Sequence, residues 1–207
     1  MRDLNFNPVF GKTSIGVALL AAVLTAEWAS ATPIANSTTF LPGPINITFD
    51  TPPVTPDTPV TTQYQSLGAT FSGAVQGDVG SIGLPNQDGN TIQNFISNGP
   101  NFQPTFINFN TPVTAADFAL AQQPGTALIT SYLNGVQVEQ FTATTGDIYQ
   151  GDNIDGFQNS LFDSISILVS SSDHADIIDN VQFSIPEPAS LSLLAFGALG
   201  VLARRRV

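Results

Sequence analysis

Residues 128–141 read LITSYLNGVQVEQF, and this stretch decides the fold that the sequence predicts. At its centre stands Asn134-Gly135, the preferred pair for a two-residue type I′ turn, because both turn positions need a positive φ. Residues 128–133 precede the pair and residues 136–141 follow it, and each segment has the length of a strand. The stretch therefore predicts a β-hairpin.

The segments on either side of this hairpin predict further short strands. Ile45, Ile47 and Phe49 alternate with polar residues, which is the period of a half-buried strand. Other strands are predicted over residues 64–73, 106–109, 117–121, 161–169 and 177–184. Several prolines in residues 51–62 predict an extended loop, and residues 74–104 show only short apolar groups. Many short strands without a helical period predict an all-β fold, an antiparallel β-sandwich of the jelly-roll type.

The N-terminal residues 1–31 have the three parts of a secretory signal peptide. Arg2 and Lys12 supply a positively charged start, residues 15–26 are apolar, and Ala29-Ser30-Ala31 has the A-x-A form of a cleavage site. We expect cleavage after Ala31. Residues 32–184 then remain as a single extracytoplasmic domain, a length that suits one hydrophobic core.

The C-terminal residues 185–207 have a different order of parts. Pro186-Glu187-Pro188 is followed by an uncharged run over residues 189–203 and then by Arg204, Arg205 and Arg206. The run predicts a single short transmembrane helix, which at ~1.5 Å per residue spans roughly 22 Å of a ~30 Å hydrocarbon core. The three arginines are expected to stay cytoplasmic, with Pro-Glu-Pro on the outer side of the membrane.

This order of parts resembles the PEP-CTERM sorting signal of Gram-negative bacteria, a segment that is also labelled as the C-terminal domain of ice-binding proteins. The resemblance implies that an exosortase, a membrane-embedded cysteine transpeptidase, cuts near Pro-Glu-Pro and passes the protein towards the cell surface. An anchor that is never cut and a core helix with a basic end are the alternatives. No regular Thr-x-Thr array supports ice binding itself.

The charge of the chain is strongly one-sided, with a net charge of −11. No Lys or Arg occurs between residues 13 and 203. Nucleic acid is excluded as a partner, because phosphate binding depends on basic side chains. The acidic residues must therefore be solvated, hydrogen-bonded or bound to a metal cation. Cysteine is absent, which excludes disulfides and thiol catalysis.

Asp179 carries the main chemical prediction. It falls on the same strand face as Ile177, Val181 and Phe183, and a buried carboxylate is costly unless hydrogen bonds, a Ca²⁺ ion or a proton neutralise it. Residues 178–183 also resemble the closing strand of PEP-CTERM ectodomains, and in sugar-binding jelly rolls a comparable carboxylate binds a structural Ca²⁺. Asp50, which ends the first predicted strand, is the expected co-ligand if the first and last strands lie side by side.

Other candidate groups give weaker signals. Asp147, Asp152 and Asp155 lie among glycines in a predicted loop, where a flexible chain favours Ca²⁺, but their spacing does not fit an EF-hand. His174 is the single histidine of the chain, and a serine hydrolase would need it, but no G-x-S-x-G elbow is present. Glu139 is the candidate partner of an aspartate in glycoside hydrolysis.

These features leave three hypotheses for function. The preferred one is a non-enzymatic surface or matrix protein that is exported, anchored briefly at the inner membrane by its tail, processed by an exosortase, and associated with extracellular polysaccharide. The second is a Ca²⁺-dependent carbohydrate-binding module in which sugars stack on Tyr64, Tyr132 or Tyr149. The third is a hydrolase that uses the carboxylates of Glu139 or Asp179.

Overall fold

The computed structural model describes residues 30–43, 45–80, 83–96, 99–100, 103–146, 149–170 and 176–186. In this part of the chain the secondary structure consists of β-strands and one short 3₁₀ turn, Gln65–Leu67. The strands are β1 (Thr32–Ser37), β2 (Ile45–Ile47), β3 (Ala69–Ser72), β4 (Val75–Gly80), β5 (Gly89–Gln93), β6 (Phe95–Ile96), β7 (Gly99–Pro100), β8 (Thr105–Ala121), β9 (Gly125–Leu133), β10 (Val136–Thr145), β11 (Ile154–Val169) and β12 (Ile177–Ser184). The predicted all-β class is confirmed.

The hairpin around Asn134-Gly135 forms as predicted. Strands β9 and β10 pair antiparallel, and Val136 lies opposite Leu133. Asn134 has φ 52° and Gly135 has φ 76°, the two positive values that a type I′ turn requires. The Asn134 N–H donates to Oδ2 of Asp163 at 2.7 Å, which ties the turn to β11.

Hydrogen bonds join ten of the strands into one antiparallel sheet. Its main order is β10-β9-β11-β8-β12-β5-β4, with β1 paired to β11, β2 to β12 and β3 to β8. Strands β6 and β7 pair only with each other. The pairings therefore show a single connected sheet, and the jelly-roll sandwich stays a prediction.

The long strands β8 and β11 change partners midway along their length. Residues 105–110 of β8 lie between β3 and β11, whereas residues 115–121 lie between β12 and β11. Residues 154–158 of β11 pair with β1, whereas residues 164–169 pair with β9. Each strand changes partner where its backbone is irregular. In β11, Asn159 has φ 64°, and in β8, Pro112 has no N–H to donate.

These changes divide the sheet into two parts. The hairpin half contains β3, β9, β10 and the adjoining segments of β8 and β11. The terminal half contains β1, β2, β4, β5, β12 and the remaining segments of β8 and β11.

Aromatic side chains from the two halves meet in a shared core. The ring centroids of Phe141 in the hairpin half and Phe157 in the terminal half are 5.3 Å apart. Those of Phe109 and Phe183 are 5.0 Å apart. Such ring pairs contribute about 0.5–1.5 kcal/mol each beyond the burial of their area. The two halves therefore stabilise each other through packing as well as through the strands they share.

Most of the predicted strands are present, with some shifts in their bounds. Strand β12 has the predicted bounds, and the predicted strands 106–109 and 117–121 are two segments of the one long strand β8. Strand β2 ends at Ile47, and the backbone of Phe49 is left-handed with φ 61°. Residues 51–62 form no strand, as the prolines predicted. Strands β1, β4 and β5 were not predicted, because their sequences are short or rich in Gly, Asn and polar residues.

The predicted signal peptide and tail fall mostly outside the described residues. Ser30 and Ala31 are described: Ala31 is buried in the core, and Ser30 Oγ donates to Glu139 Oε2 at 2.6 Å. Strand β1 begins at Thr32, directly after the predicted cleavage site, and that site stays a prediction. No helix within the described ranges is long and apolar enough to cross a membrane. The predicted transmembrane helix at residues 189–203 lies outside those ranges.

Candidate functional site

The last strand of the sheet leads directly into the C-terminal tail. Strand β12 ends at Ser184, and the side chain of Ile185 is 44% exposed. Pro186 is described and half-buried. The other predicted sorting residues, Glu187, Pro188, Arg204, Arg205 and Arg206, lie outside the described residues.

The two ends of the domain lie at the same end of the sheet. Thr32 pairs with Gln158, Gln158 with Ala115, and Ala115 with Ser184. Three spacings of ~4.8 Å place Thr32 roughly 14 Å from Ser184. Thr32, the first residue after the predicted signal cleavage site, therefore lies in one row with Ser184, the last residue before the tail.

An open groove follows this row of residues. Its volume is about 250 Å³. Its walls combine residues with hydroxyl or amide side chains and apolar residues: Leu41, Pro42, Thr114, Ala115, Gln158, Asn159 and Ser184. Such a lining can donate and accept hydrogen bonds with a polar ligand.

Asp179 is buried, but not on the face that the alternation predicted, because its neighbour Ile178 packs in the core with Val181 and Phe183. The register shift after Asp179 interrupts the alternation along β12. The side chain is 0% exposed. Its Oδ1 accepts the N–H of Asn180 at 2.6 Å, and its Oδ2 accepts the N–H of Asp88 at 2.9 Å. Burial raises the pKa of Asp179 to about 7, the two N–H donors oppose this rise, and the charges of Asp50 and Asp88 add to it. Both carboxylate oxygens of Asp179 thus accept hydrogen bonds. This is one of the three ways, beside a Ca²⁺ ion or a proton, by which the buried charge could be neutralised.

A β-bulge supplies one of these donors. The register between β12 and β8 shifts between Asp179 and Gln182, and Asn180 in this interval has φ 51°. Asparagine tolerates this left-handed backbone better than most residues. The bulge turns the N–H of Asn180 towards the carboxylate of Asp179.

Asp50 lies near Asp179 because the first predicted strand and the last pair with each other. Strand β2 pairs antiparallel with β12, with Ile47 opposite Val181. The Asp50 side chain is exposed, and its Oδ1 accepts the N–H of Asn90 at 2.9 Å. The charges of both aspartates contribute, after burial, to raising the pKa of Tyr64 to about 12. The strand adjacency assumed for a shared ion is therefore confirmed.

The Ca²⁺ ion predicted between Asp179 and Asp50 stays a prediction. Both oxygens of Asp179 already accept backbone N–H groups. Among the described residues, no group of three or more His, Cys, Asp or Glu side chains could hold a metal ion. A calcium ion there would need carbonyl, amide or water oxygens to complete its shell.

Three further aspartates are buried, and the sequence did not single them out. Asp117 and Asp155 are 1% exposed and Asp176 is 0% exposed. Burial raises the pKa of each to about 6. No Lys or Arg occurs in the described part of the chain, so no lysine or arginine of that part lies beside these carboxylates. The alternation could have indicated Asp155, because it stands two residues before buried Phe157 on β11.

These three aspartates differ in how many oxygens are hydrogen-bonded. In Asp176, Oδ1 accepts the N–H of Asn94 at 2.9 Å and Oδ2 accepts the hydroxyl of Thr105 at 3.4 Å. Asp117 accepts the N–H of Leu41 through Oδ2, and its Oδ1 has no partner. Asp155 accepts the N–H of Asn36 through Oδ1 at 3.0 Å, and its Oδ2 has no partner.

The predicted loop around Asp152 and Asp155 is only partly a loop. Asp155 lies on β11 rather than in the loop, because that strand begins at Ile154. Asp147 lies outside the described residues. Asp152 precedes the strand, and its charge, after burial, contributes to raising the pKa of Asp155. The structure therefore brings two of the three predicted carboxylates together.

The predicted catalytic and sugar-stacking residues are dispersed. Glu139 lies on β10, and its hydrogen bonds from Ser30 and from the Gln140 N–H lower its pKa. His174 lies outside the described residues. Tyr64 is fully buried and donates its hydroxyl to the carbonyl of Phe49 at 2.8 Å, so the hypothesis that it stacks on a sugar is wrong. Tyr132 is half-buried and Tyr149 is 54% exposed.

The described residues define an all-β domain whose last strand ends at Ser184. Residues 184–206 match the model of the PEP-CTERM protein-sorting motif, which confirms the resemblance drawn from the sequence. The match begins at the last residue of β12 and supports export and processing in the membrane by an exosortase. No curated protein and no solved structure matches the chain.

Proposed function

We propose that the chain is a non-enzymatic protein of the cell surface or extracellular matrix, held briefly at the inner membrane by its tail and then attached or released among exopolysaccharide. The observation that carries the proposal is the match of residues 184–206 to the sorting motif. The folded domain would be the exported cargo, and the tail would direct its processing.

The geometry of the domain ends supports this proposal. Thr32 and Ser184 lie in one row at the same end of the sheet. A signal peptide before Thr32 and an anchor after Ser184 could therefore lie in the same membrane while the sheet is folded. Cleavage at either end would leave the pairing of β1 with β11 and of β12 with β8 intact.

The environment of the acidic residues supports a non-enzymatic role. Two-carboxylate hydrolysis needs a pair of Asp or Glu groups about 5–9.5 Å apart on either side of a bound sugar. Asp179 accepts hydrogen bonds inside the sheet, and Glu139 is bonded to Ser30 on β10. Neither of these candidate residues lines the groove beside Ser184.

Processing of the tail is the direct test. We would express the full-length chain in a host with an exosortase and compare it with a variant in which Pro186, Glu187 and Pro188 are all replaced by Ala. The wild-type chain should lose its C-terminal arginines and reach the surface or the medium, and the variant should stay intact in the membrane fraction. Mass spectrometry of the C-terminus measures the difference, and the same host without its exosortase is the control. Intact wild-type protein in the cytosol, with both ends retained, would refute the proposal.

Carbohydrate binding is the second candidate function, and the groove beside Ser184 favours it. Its amide and hydroxyl groups, among them those of Thr114, Gln158 and Asn159, are suited to sugar hydroxyls. A glycan array with the full-length chain, with and without CaCl₂, tests this function. Binding that the Gln158→Ala variant loses would support it. If no glycan on the array binds the chain, carbohydrate binding is refuted as a function of this protein.

A further inference from the structure

Within the described part of the chain, the hairpin half of the sheet has one face on the core and one face open to solvent. Alternate residues of β9 and β11 are buried in the core, among them Ile129 and Ile167, each 0% exposed. The residues between them lie on the opposite side, because successive side chains of a strand alternate. On that side Leu168 is 37% exposed, and Thr142 and Ser170 are exposed as well. We call this side of the hairpin half the open face.

The strand registers arrange the side chains of the open face in rows. Residues directly opposite each other in an antiparallel pair lie on the same face of the sheet. The first row consists of Thr70, Asn108, Ser164 and Tyr132, the second of Ser72, Phe106, Ser166, Thr130 and Gln140, and the third of Leu168, Leu128 and Thr142. The second row crosses five strands, so four spacings of ~4.8 Å make the open face roughly 19 Å wide.

The open face carries no charge, although the chain has a net charge of −11. None of the residues in these rows is acidic or basic. Glu139 of β10 lies opposite the buried Ser131 and therefore belongs to the other side of the sheet. Asp163 of β11 lies at the hairpin turn, where it accepts the N–H of Asn134. An anionic partner would gain no attraction from this face and would be repelled by the acidic remainder of the chain. The open face therefore favours an uncharged partner.

Hydrogen bonds within the open face hold several of its polar side chains in place. The Nε2 of Gln140 donates to Oγ1 of Thr130 at 2.8 Å. The hydroxyl of Ser166 donates to the hydroxyl oxygen of Tyr132 at 3.5 Å. The amide of Gln140 and the hydroxyl of Tyr132 keep further donors and lone pairs for a partner. Because these side chains are already positioned, less conformational entropy is lost when a partner binds.

Two aromatic rings lie among these polar groups. Tyr132 is opposite Ser164 and Phe106 is opposite Ser166, and both aromatic side chains are half-buried. Two strand spacings and one two-residue step separate them, which places their Cα atoms roughly 12 Å apart. Each ring offers an apolar surface next to hydroxyl and amide groups. Sugars have the matching chemistry, with C–H groups on the faces of the ring and uncharged hydroxyls around its edge.

We propose that the open face binds a linear polysaccharide of uncharged sugars. The rings of Tyr132 and Phe106 stack against two different sugars of one polymer. The side chains of Asn108, Gln140 and Thr142 exchange hydrogen bonds with the sugar hydroxyls. None of these residues lines the groove beside Ser184, so the two surfaces are separate. The inference rests on the proposed place of the chain among exopolysaccharide, and it names the surface and the class of polymer.

The test is binding of the full-length chain, in a mild detergent, to an array that carries immobilised dextran, xylan and starch, with alginate as the anionic polymer. The wild-type chain should bind at least one uncharged polymer and should not bind alginate. Tyr132→Ala should weaken this binding at least ~10-fold, because a stacking ring is lost. Gln140→Ala should weaken it roughly 3- to 10-fold, which corresponds to the loss of about one hydrogen bond.

Tyr149→Ala and Gln158→Ala are the matched controls. Tyr149 is 54% exposed and follows β10, which ends at Thr145. Gln158 lines the groove beside Ser184. Each control removes the same kind of side chain as one of the test variants, but from another part of the molecule. Both controls should bind the polymer as tightly as the wild-type chain.

Several results would overturn the inference. These are no bound polymer, equal binding by wild type, Tyr132→Ala and Gln140→Ala, or a preference for alginate. Loss of binding in Gln158→Ala alone would place the sugar in the groove. A dimer that Tyr132→Ala dissociates, seen by sedimentation without any polymer binding, would assign the open face to a second copy of the chain.

Two further measurements keep the test decisive. If Tyr132→Ala fails to fold by circular dichroism, Gln140→Ala decides, because it changes an exposed residue of β10. Processing of the tail is measured separately by mass spectrometry of the C-terminus. Normal processing without polymer binding would refute only the open face as a binding surface, whereas polymer binding without processing would refute only the proposed sorting.

Discussion

Asp179 and Asp155 are buried equally well, but the protein surrounds their carboxylates differently. Each lies next to a bulge that contains an asparagine with positive φ, Asn180 at 51° and Asn36 at 50°, and each accepts the N–H of that asparagine. Asp179 receives a second N–H, from Asp88, whereas Oδ2 of Asp155 receives none. The comparison teaches that burial alone does not determine how a carboxylate is stabilised. The number of backbone N–H groups that the fold places beside it also matters, two for Asp179 and one for Asp155.

Removing the carboxylates should give the largest change in the free energy of unfolding. The loss should be larger for Asp179 than for Asp155. At pH 5, below the folded-state pKa values of about 7 and about 6, both groups are largely protonated. Asp179→Ala leaves two backbone N–H groups without an acceptor and should lower the free energy of unfolding by about 3 kcal/mol. Asp155→Ala leaves one such group and should cost about 1 kcal/mol. Urea denaturation in the presence of a chelator measures both.

The exposed Thr142→Ala substitution on β10 serves as the control for this pair and should change the stability little. Equal losses in Asp155→Ala and Asp179→Ala would show that the second N–H contributes nothing, and the comparison would fail.

The pH dependence of stability should show the next largest effect. The folded-state pKa of Asp176 is about 6, above its ordinary value of 3.8, because the side chain is buried. The native state therefore binds more protons than the unfolded state between these values, and stability falls as pH rises from about 4 to about 6. Asp176→Asn keeps an acceptor for the Asn94 N–H and removes the titration, so it should reduce this fall by about 2 kcal/mol.

Urea denaturation across this pH range measures the slope, with the exposed Asp57→Asn variant as the control. A wild-type stability that rises between pH 4 and pH 6 would contradict the sign derived from burial.

The smallest effect tests how the start of β5 positions Asp50 beside Asp179. Gly89 has φ 64°, and a Cβ there would collide with Oδ1 of Asp50. Gly83 has a similar φ of 68°, and a Cβ there would meet nothing within 4 Å. Both Ala variants should cost about 1 kcal/mol for the left-handed backbone. Gly89→Ala should cost more, because it also displaces Asp50 from Asn90. Thermal denaturation of the two variants gives the difference, and identical melting temperatures would argue against the Asp50 contact.

The sequence was sufficient for the features that depend on local pattern. The Asn134-Gly135 turn and the bounds of β12 follow from φ preferences and from the apolar pattern of the strand. The sorting motif is equally local. Each of these features can be recognised within about ten or twenty neighbouring residues.

The features that the sequence did not predict depend on contacts between distant segments. Asp155 accepts the N–H of Asn36 only because β1 pairs with β11. The donor to Asp179 comes from Asp88, in a segment whose Gly and Asn residues gave no strand signal. Strand β1 was missed because its burial depends on β11 rather than on its own alternation.

The position of β12 determines how the domain responds to mechanical force. The strand is hydrogen-bonded to β8 along one edge and to β2 and β5 along the other, and the tail continues from its C-terminal end. A pull on the tail therefore acts along the strand and loads these bonds in shear, all at once, instead of opening them one by one. A protein that is held by this end would therefore resist unfolding while a protease or a flowing medium pulls on the tail.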